Sequence, residues 1–338
     1  MMEKKEKKQL NRFVKRTILA CVPLFVLIAL YFLLDPFNVI GPFNPMDKMG
    51  EKSASFSRSH QSVEAYLNNR DSVGFNAFIF GSSRAIYYPV ATLQRLLPAD
   101  ARAMHMDAAW ETLEGMLDKI ELIQSRGDRI KYAILEFHAD QFADSAHIEV
   151  PYRQDYRLRH AYSLPEYHYR YFMSMLNTDF LKAYLPYLFT GRINEGYDNV
   201  VFESKMQGYD PITNEYDYRN FDSEIDTDST DYFARRAKFY QPSMTDSVVA
   251  PLTPDRWALL SLIQSRLAAD SADYHVILGP TFYRHMTPPA DIQRLRDIFG
   301  ADRVHDFQHL GVESQANFYD SIHYRYFIAD SIMSKIYQ

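Results

Sequence analysis

The sequence predicts an α/β protein of the three-layer α/β/α type, with a mainly parallel sheet and one transmembrane helix ahead of it. The first observation is an unbroken apolar run over residues 17–34, which has the length that a helix needs to cross a bilayer core. The second is that, from residue 75 onward, short apolar runs alternate with longer helical stripes. Strands separated by helices of this length imply right-handed crossovers, and therefore parallel strands.

The charges around the apolar run predict its orientation. Residues 1–16 carry seven basic and two acidic side chains, and basic residues tend to stay on the cytoplasmic side of a membrane. The chain after Asp35 is therefore expected in the periplasm. The alternative, a cleaved signal peptide, fits less well because the apolar run is long and no small-x-small cleavage site follows it. We interpret residues 17–34 as an uncleaved, single-pass anchor in the inner (cytoplasmic) membrane, preceded by a basic cytoplasmic tail.

The elements after the anchor follow in order. We interpret residues 35–72 as a juxtamembrane stalk, because three prolines precede a polar stretch with only a short helical pattern at 63–69. The α/β domain is predicted over residues 73–338. Its strands are expected at 75–80, 103–109, 132–137, 274–278 and around 304, and its helices at 90–97, 112–125, 254–269, 292–299 and 324–336.

The middle of the chain, about 143–251, interrupts this alternation. It is rich in Tyr and contains a predicted helix at 165–188 and an acidic stretch at 222–231. Because the alternation resumes afterwards, we interpret it as an insertion beside the sheet. The Tyr residues could form a sugar-stacking groove or pack the insertion onto the sheet. The acidic stretch lacks the turn Gly and the closing Glu of a calcium loop, so a solvated loop is expected.

Composition narrows the possible partners and cofactors. The one cysteine, Cys21, lies inside the apolar run, so neither a disulfide framework nor a Cys-based metal site is expected. His285, His305 and His309 do not have metal-ligand spacing on a common helix, and no metal or other cofactor is predicted. The net charge is −6, and removing the +5 of the basic tail leaves −11 on the exported part. That charge argues against nucleic acid and anionic lipid as partners.

Two short motifs carry the chemistry. An apolar run ends in Phe-Gly-Ser-Ser83, and near the C-terminus the chain contains Asp320-Ser-Ile-His323. A Ser hydroxyl is a poor nucleophile at neutral pH, so it needs a base to take its proton and a carboxylate to orient that base. A Ser at the end of a parallel strand, with an Asp three residues before a His, could supply all three groups. By themselves the motifs are also compatible with a surface turn and a helix N-cap.

In this order the two motifs resemble the first and last signature blocks of the SGNH (GDSL-like) hydrolases, with Ser82 in place of the usual Asp. The resemblance covers about 75–145 and 252–338 and implies a flavodoxin-like sheet. It implies Ser83 as nucleophile, His323 as general base and acid, and Asp320 as the orienting carboxylate. It also implies oxyanion donors at the backbone N–H of Ser83, the backbone N–H of Ala108, and His138 where the family has an Asn.

The anchor, the Asp35-Pro36 pair that follows it and the Gly-Ser-Ser turn are similar to a membrane-tethered subset of that superfamily. The subset includes proteins of teichoic-acid D-alanylation and alginate O-acetylation. The resemblance implies O-acyl transfer to, or ester hydrolysis from, a cell-surface polysaccharide or other envelope glycan, beside a membrane-bound O-acyltransferase. A second function stays open because the third-strand block lacks Gly-x-Asn. The scaffold could be a catalytically inactive glycan-binding or partner-docking module.

Three further residues are candidates for binding the substrate. Arg84 follows the proposed nucleophile and could lie near a substrate carboxylate or phosphate, or could cap a neighbouring strand. Tyr283 and Arg284 follow the strand at 274–278, on the edge where α/β sheets bind ligands.

Overall fold

The structure, a computed structural model, falls into two compact units. It describes residues 2–40, 57–143, 154–191, 208–237 and 246–337. In chain order the helices are α1 (Met2–Leu34), α2 (Arg58–Val73), α3 (Val90–Leu96), α4 (Leu113–Ser125), α5 (Ala139–Ala143), α6 (Leu164–Met175), α7 (Thr178–Thr190), α8 (Arg219–Thr227), α9 (Ser229–Arg235), α10 (Pro254–Ala269), α11 (Pro289–Phe299) and α12 (Tyr326–Ile336). The strands are β1 (Ala77–Phe80), β2 (Ala103–His105), β3 (Tyr132–Phe137), β4 (Gly208–Asp210), β5 (Glu215–Asp217), β6 (Ser247–Val248), β7 (Asp273–Leu278), β8 (His285–Met286) and β9 (Val304–Asp306).

The first unit contains α1, α7 and the C-terminal part of α6. Within α1, the stretch Glu6–Leu34 is long and apolar enough to cross a membrane. Near the end of this stretch the Tyr31 hydroxyl lies 3.0 Å from Nδ1 of His168. Just beyond it, the Asp35 carboxylate accepts hydrogen bonds from the backbone N–H groups of Val39 and Ile40, at 2.8 and 3.1 Å, in a tight turn after the helix. The rings of Phe37 and Phe180 stack 4.9 Å apart.

The second unit is built on a five-stranded sheet in the order β2-β1-β3-β7-β9. Every pairing within this sheet is parallel, which confirms the predicted α/β class and parallel sheet. Parallel strands covered on both faces are continuously apolar, and the central strands fit that rule. Their fully buried side chains include Phe78, Ile79, Phe80, Ile134, Leu135, Val276 and Ile277.

Five helices of this unit lie where the apolar periodicity predicts them: α3, α4, α10, α11 and α12. Helix α4 begins at a Thr112 cap, whose hydroxyl accepts the Gly115 N–H at 3.0 Å, and it packs against α10. Helix α2 was expected only as a short segment of a stalk. It is 16 residues long and its first two turns are buried, so residues 57–73 belong to the α/β unit rather than to a stalk. The stalk residues 41–56 lie outside the described part.

The middle of the chain differs from its prediction in two places. The single helix expected at 165–188 is two helices, because Asn177 caps a new one by accepting the N–H groups of Asp179 and Phe180. The acidic stretch expected as a solvated loop is instead helical, in α8 and α9. The reason is the apolar set Phe221 and Ile225, which recurs at helical spacing on the buried side of α8 and gives it an amphipathic face.

The strand order places the site. Counted along the chain, the five strands of the sheet lie in the order 2-1-3-4-5, so the connections leave β1 in opposite directions on its two sides. Ligands of open α/β sheets bind at such a switch point, outside the carboxyl ends of the strands. The residues that follow β1 and β3 therefore face the same crevice. Ser83 and His138 both lie there.

Candidate active site

The turn that carries Ser83 depends on a close approach between two strands. A Cβ atom at Gly81 would lie 2.9 Å from both the Glu136 carbonyl oxygen on β3 and the Ala85 Cβ. Only glycine fits so close to a neighbouring backbone. Just past this point the chain leaves the sheet and enters a single turn of 3-10 helix at Ala85–Tyr87. The half-buried Ser83 side chain is thereby presented at the edge of the sheet.

The Asp320–His323 segment is a closed turn ahead of α12, not the cap of that helix. The Tyr319 N–H donates to the His323 carbonyl at 2.8 Å and closes the turn. Asp320 Oδ1 accepts the backbone N–H groups of Ile322 and His323, at 2.8 and 2.9 Å. The N-cap of α12 is Arg325, so the helix-cap explanation of Asp320 does not apply. Its second oxygen is left for the His323 ring.

Ser83, His323 and Asp320 form one hydrogen-bonded series. Ser83 Oγ lies 2.7 Å from His323 Nε2, and His323 Nδ1 lies 2.7 Å from Asp320 Oδ2. A carboxylate can only accept, so Nδ1 holds the proton and Nε2 is free to accept from the Ser83 hydroxyl. This is the tautomer that general-base catalysis requires. We refer to these three residues as the triad.

The environment of the triad keeps the carboxylate charged. Burial raises the pKa of Asp320, but the His323 charge and hydrogen bond and the two backbone N–H groups outweigh it, and the pKa falls below its ordinary value. The Tyr87 ring packs against the imidazole, with ring centres 5.7 Å apart. The imidazole is therefore held both by its carboxylate and by an aromatic neighbour.

Arg84 links the elements around the triad. Its Nε donates to the Ile322 carbonyl at 2.8 Å, inside the Asp320–His323 turn. Its Nη2 donates to the Tyr283 hydroxyl at 3.3 Å, in the loop after β7. Arg84 is buried and borders the cavity described below. Arg84 thus joins the Asp320–His323 turn to the loop that follows β7.

The structure separates the two oxyanion candidates that lie outside Ser83. His138, half-buried at the end of β3, borders the cavity, and its Nδ1 has no hydrogen-bond partner among the described residues. Burial, together with the positive charges of Arg84 and His323, lowers the pKa of His138 well below its usual range. It is therefore a neutral imidazole at neutral pH. The Ala108 N–H instead donates to the Gly81 carbonyl at 3.2 Å and would have to give up this bond to serve as a donor.

A cavity of about 480 Å³ opens beside the triad. Within it the Asp140 carboxylate accepts from the Tyr283 hydroxyl and lies 2.8 Å from Nδ1 of His285. Sequence reasoning singled out only Tyr283 of these three, since Asp140 and His285 are 145 positions apart. Trp110 and Gln141 also border the cavity, and no sequence pattern pointed to either. We call these five residues the second wall: Trp110, Asp140, Gln141, Tyr283 and His285.

Arg284, expected as a substrate contact, is committed elsewhere. Its guanidinium donates to the Val312 carbonyl at 3.1 Å and pairs with Asp246 at 3.6 Å. Its backbone has a positive φ of 60°. Tyr283 and His285 border the cavity, whereas the Arg284 side chain binds segments outside it.

Among the residues that the structure describes, no group of three or more His, Cys, Asp or Glu side chains could hold a metal ion. Comparison with models of known protein families finds no match to this chain, and comparison with curated proteins finds none either.

Proposed function

We propose that the protein is an extracytoplasmic, serine-dependent O-acyltransferase or esterase that acts on a cell-envelope glycan. The observation that carries this proposal is the hydrogen-bonded series from Ser83 through His323 to Asp320, at the carboxyl edge of a parallel sheet. The resemblance of the same residues to the SGNH signature blocks agrees with it. The 2-1-3-4-5 strand order supports a three-layer, flavodoxin-like domain of that superfamily.

In this function the triad works in two half-reactions. Ser83 Oγ forms a bond with the acyl carbon of the donor ester as its proton passes to His323 Nε2. The donor C–O bond then breaks, and the departing alcohol takes that proton. In the second half-reaction a glycan hydroxyl, or water, attacks the acyl-Ser83 ester and gives its proton to His323. Ser83 Oγ leaves with this proton, and the enzyme is restored.

Stabilisation of the oxyanion falls to the groups beside Ser83. The Ser83 N–H is one donor by the family resemblance. His138 is the second, because as a neutral imidazole it carries one N–H and borders the cavity. Losing one such donor typically costs about 10²–10³-fold in rate. This role of His138 replaces the Asn side chain that SGNH enzymes use.

The location follows from α1. We propose that residues 17–34 cross the inner membrane once with the N-terminus inside, so that the α/β unit works in the periplasm. The basic tail and the long apolar helix support this orientation. A membrane-bound O-acyltransferase in the same membrane would supply the acyl group.

One observation favours the second candidate, a catalytically inactive glycan-binding or docking module. The Ala108 N–H, which the resemblance assigns to the oxyanion site, already donates to the Gly81 carbonyl. A site that lacks this donor would bind ligands but transfer acyl groups slowly. The two functions differ in whether Ser83 becomes acylated.

Labelling with a fluorophosphonate probe tests the proposal, because the probe phosphonylates only an activated Ser. The full-length protein in detergent is expected to be labelled, and the Ser83→Ala variant is not. Ser82→Ala is the matched control, since it removes a neighbouring hydroxyl that accepts a long hydrogen bond, 3.5 Å, from the Arg84 N–H, and it should leave the labelling intact. A folded wild-type protein that stays unlabelled would favour the binding module instead.

A further inference from the structure

The loop that carries Trp110 is held in place by a buried side chain of α4. The buried Lys119 ammonium on α4 donates to the carbonyls of Met106 and Asp107, at 3.1 and 3.0 Å, and pairs with Glu111 at 2.5 Å. A buried charge is retained only when it is this fully paired. The loop between β2 and α4 is thus held by three bonds from one side chain. Trp110 lies at the top of this loop.

Trp110 differs from an ordinary surface residue in two respects, its exposure beside a cavity and its backbone conformation. Its indole is 58% exposed, although it borders the cavity. Its backbone has a φ of 56°, a left-handed conformation that is strained for a bulky residue. Backbone strain of this kind persists where the surrounding structure imposes it, commonly at ligand sites. An exposed indole that borders the cavity offers a surface on which the apolar face of a ring can stack.

Gln141 is the second observation. Its side chain is only 3% exposed and borders the cavity, and neither its Oε1 nor its Nε2 has a hydrogen-bond partner among the residues that the structure describes. Buried polar groups are nearly always paired, so this primary amide is available to a bound water or to a ligand in the cavity. A primary amide offers two donors and one acceptor. That combination matches a ligand with neighbouring hydroxyl groups, each of which both donates and accepts.

The Asp140 pair with His285 adds a third polar group to the same cavity. His285 Nδ1 lies 2.8 Å from Asp140 Oδ1, so this nitrogen carries the proton and Nε2 remains a hydrogen-bond acceptor. The Asp140 charge has no Arg or Lys in hydrogen-bond contact among the described residues, and Asp320 borders the cavity as well. Arg84 also borders the cavity, but its guanidinium donates to the Ile322 carbonyl and to the Tyr283 hydroxyl. The carboxylates of Asp140 and Asp320 would therefore disfavour an anionic ligand.

We propose that Trp110, Gln141 and the Asp140–His285 pair bind an uncharged sugar ring, whose hydroxyl accepts the acyl group from Ser83. One apolar face of the ring stacks on Trp110, and its hydroxyls satisfy the Gln141 amide and His285 Nε2. The cavity, at about 480 Å³, is within the range of about 300–1,000 Å³ that small-molecule sites occupy. The acceptor role of the ring rests on the proposed function, but its binding does not.

The chain contains only two Trp residues, Trp110 and Trp257, so fluorescence can report on the site directly. Trp257 is buried on α10, and replacing it with Phe leaves Trp110 as the only indole. Full-length Trp257→Phe protein in detergent is titrated with cellopentaose, chitopentaose and β-1,4-mannopentaose. We expect a saturable blue shift of the Trp110 emission with at least one of these uncharged sugars.

Charge and residue specificity are tested with matched pairs. The β-1,4-mannuronate pentamer differs from mannopentaose only in its carboxylates, and it is expected to bind at least about tenfold more weakly than the best uncharged sugar. In calorimetry, Trp110→Ala and Gln141→Leu are each expected to weaken sugar binding by about tenfold, and Trp110→Phe to weaken it less. Phe327→Ala, which removes an exposed aromatic from α12, is the control and should bind normally.

Two results would overturn the proposal: no saturable shift with any uncharged pentamer up to about 10 mM, or equal affinity for the mannuronate pentamer. Parallel fluorophosphonate labelling separates this failure from that of the proposed function. Labelled protein without sugar binding refutes the sugar site alone. Sugar binding by unlabelled protein refutes the serine chemistry alone and leaves the sugar site standing.

Discussion

The triad and the second wall border the same cavity but are built differently. Two of the triad residues come from one four-residue turn, and the hydrogen-bonding atoms that join the three side chains are all paired. The second wall draws on segments that follow three different strands, and its Gln141 amide has no partner in the described part of the chain. The triad is therefore complete without a ligand, whereas the second wall is completed by one. Substitutions in the two groups should accordingly have different kinds of effect.

The largest effect is expected at the base of the triad. Replacing His323 with Ala removes the group that takes the Ser83 proton, and hydrolysis of a chromogenic acyl ester should fall by about 10⁶-fold in kcat. The rate of ester cleavage by the purified, full-length variant measures this. His305→Ala is the control, because His305 pairs with His275 on the sheet. This variant should cleave the ester at the normal rate. Undiminished cleavage by His323→Ala would remove His323 from the mechanism.

A smaller loss is expected when only the orientation of the base is disturbed. Asp320→Asn keeps the imidazole but removes the carboxylate that fixes its tautomer, so kcat should fall by about 10⁴-fold. This variant should thus retain roughly a hundred times more activity than His323→Ala. The same ester assay compares the two, with the exposed Asp255→Asn as control. A loss as large as that of His323→Ala would show that Asp320 does more than orient.

A third effect should appear in the pH dependence of stability, from the buried carboxyl group of Glu136 on β3. Burial, partly offset by the Arg84 charge, raises the pKa of Glu136 to about 7. A raised pKa means that the folded state holds a proton that the unfolded state releases above its ordinary pKa. The contribution of Glu136 to stability is therefore fully present at low pH and is lost as the pH rises toward 7.

Glu136→Gln removes this dependence. Its free energy of unfolding, relative to wild type, should increase by about 3 kcal/mol between pH 4.5 and pH 7. Urea unfolding of the full-length proteins at several pH values in this interval measures the difference. The exposed Glu313→Gln should show no such trend. A constant difference between Glu136→Gln and wild type would mean that Glu136 has an ordinary pKa.

The smallest expected effect is a gain in stability for a variant of the second wall. Its sign is opposite to that of the losses expected in the triad, so it distinguishes the two groups of residues. Gln141→Leu removes a buried amide that has no partner, so the ligand-free protein should become more stable by about 1 kcal/mol. Thermal unfolding monitors the gain. Gln124→Leu is the matched control, since the Gln124 amide donates to the Arg266 carbonyl at 2.8 Å and its loss should destabilise. If Gln141→Leu destabilises as well, the Gln141 amide has a partner in solution.

The sequence by itself determined the features that depend on neighbouring residues. The α/β class and the parallel sheet follow from short-range periodicity, and the long apolar helix α1 from the apolar run of residues 17–34. The Asp320–His323 geometry follows from a turn that its own backbone closes.

Only the tertiary structure decided what depends on distant segments. The Asp140–His285 pair forms because the loops after β3 and β7 meet at one edge of the sheet, and neither residue carries a local signal. Arg284 shows the converse, since its guanidinium binds the Val312 carbonyl and Asp246, whereas its two neighbours border the cavity. The acidic stretch became helical because its apolar side chains found a buried surface. Local sequence sets hydrogen bonds within a turn, whereas burial and pairing across the sheet are set by the strand order.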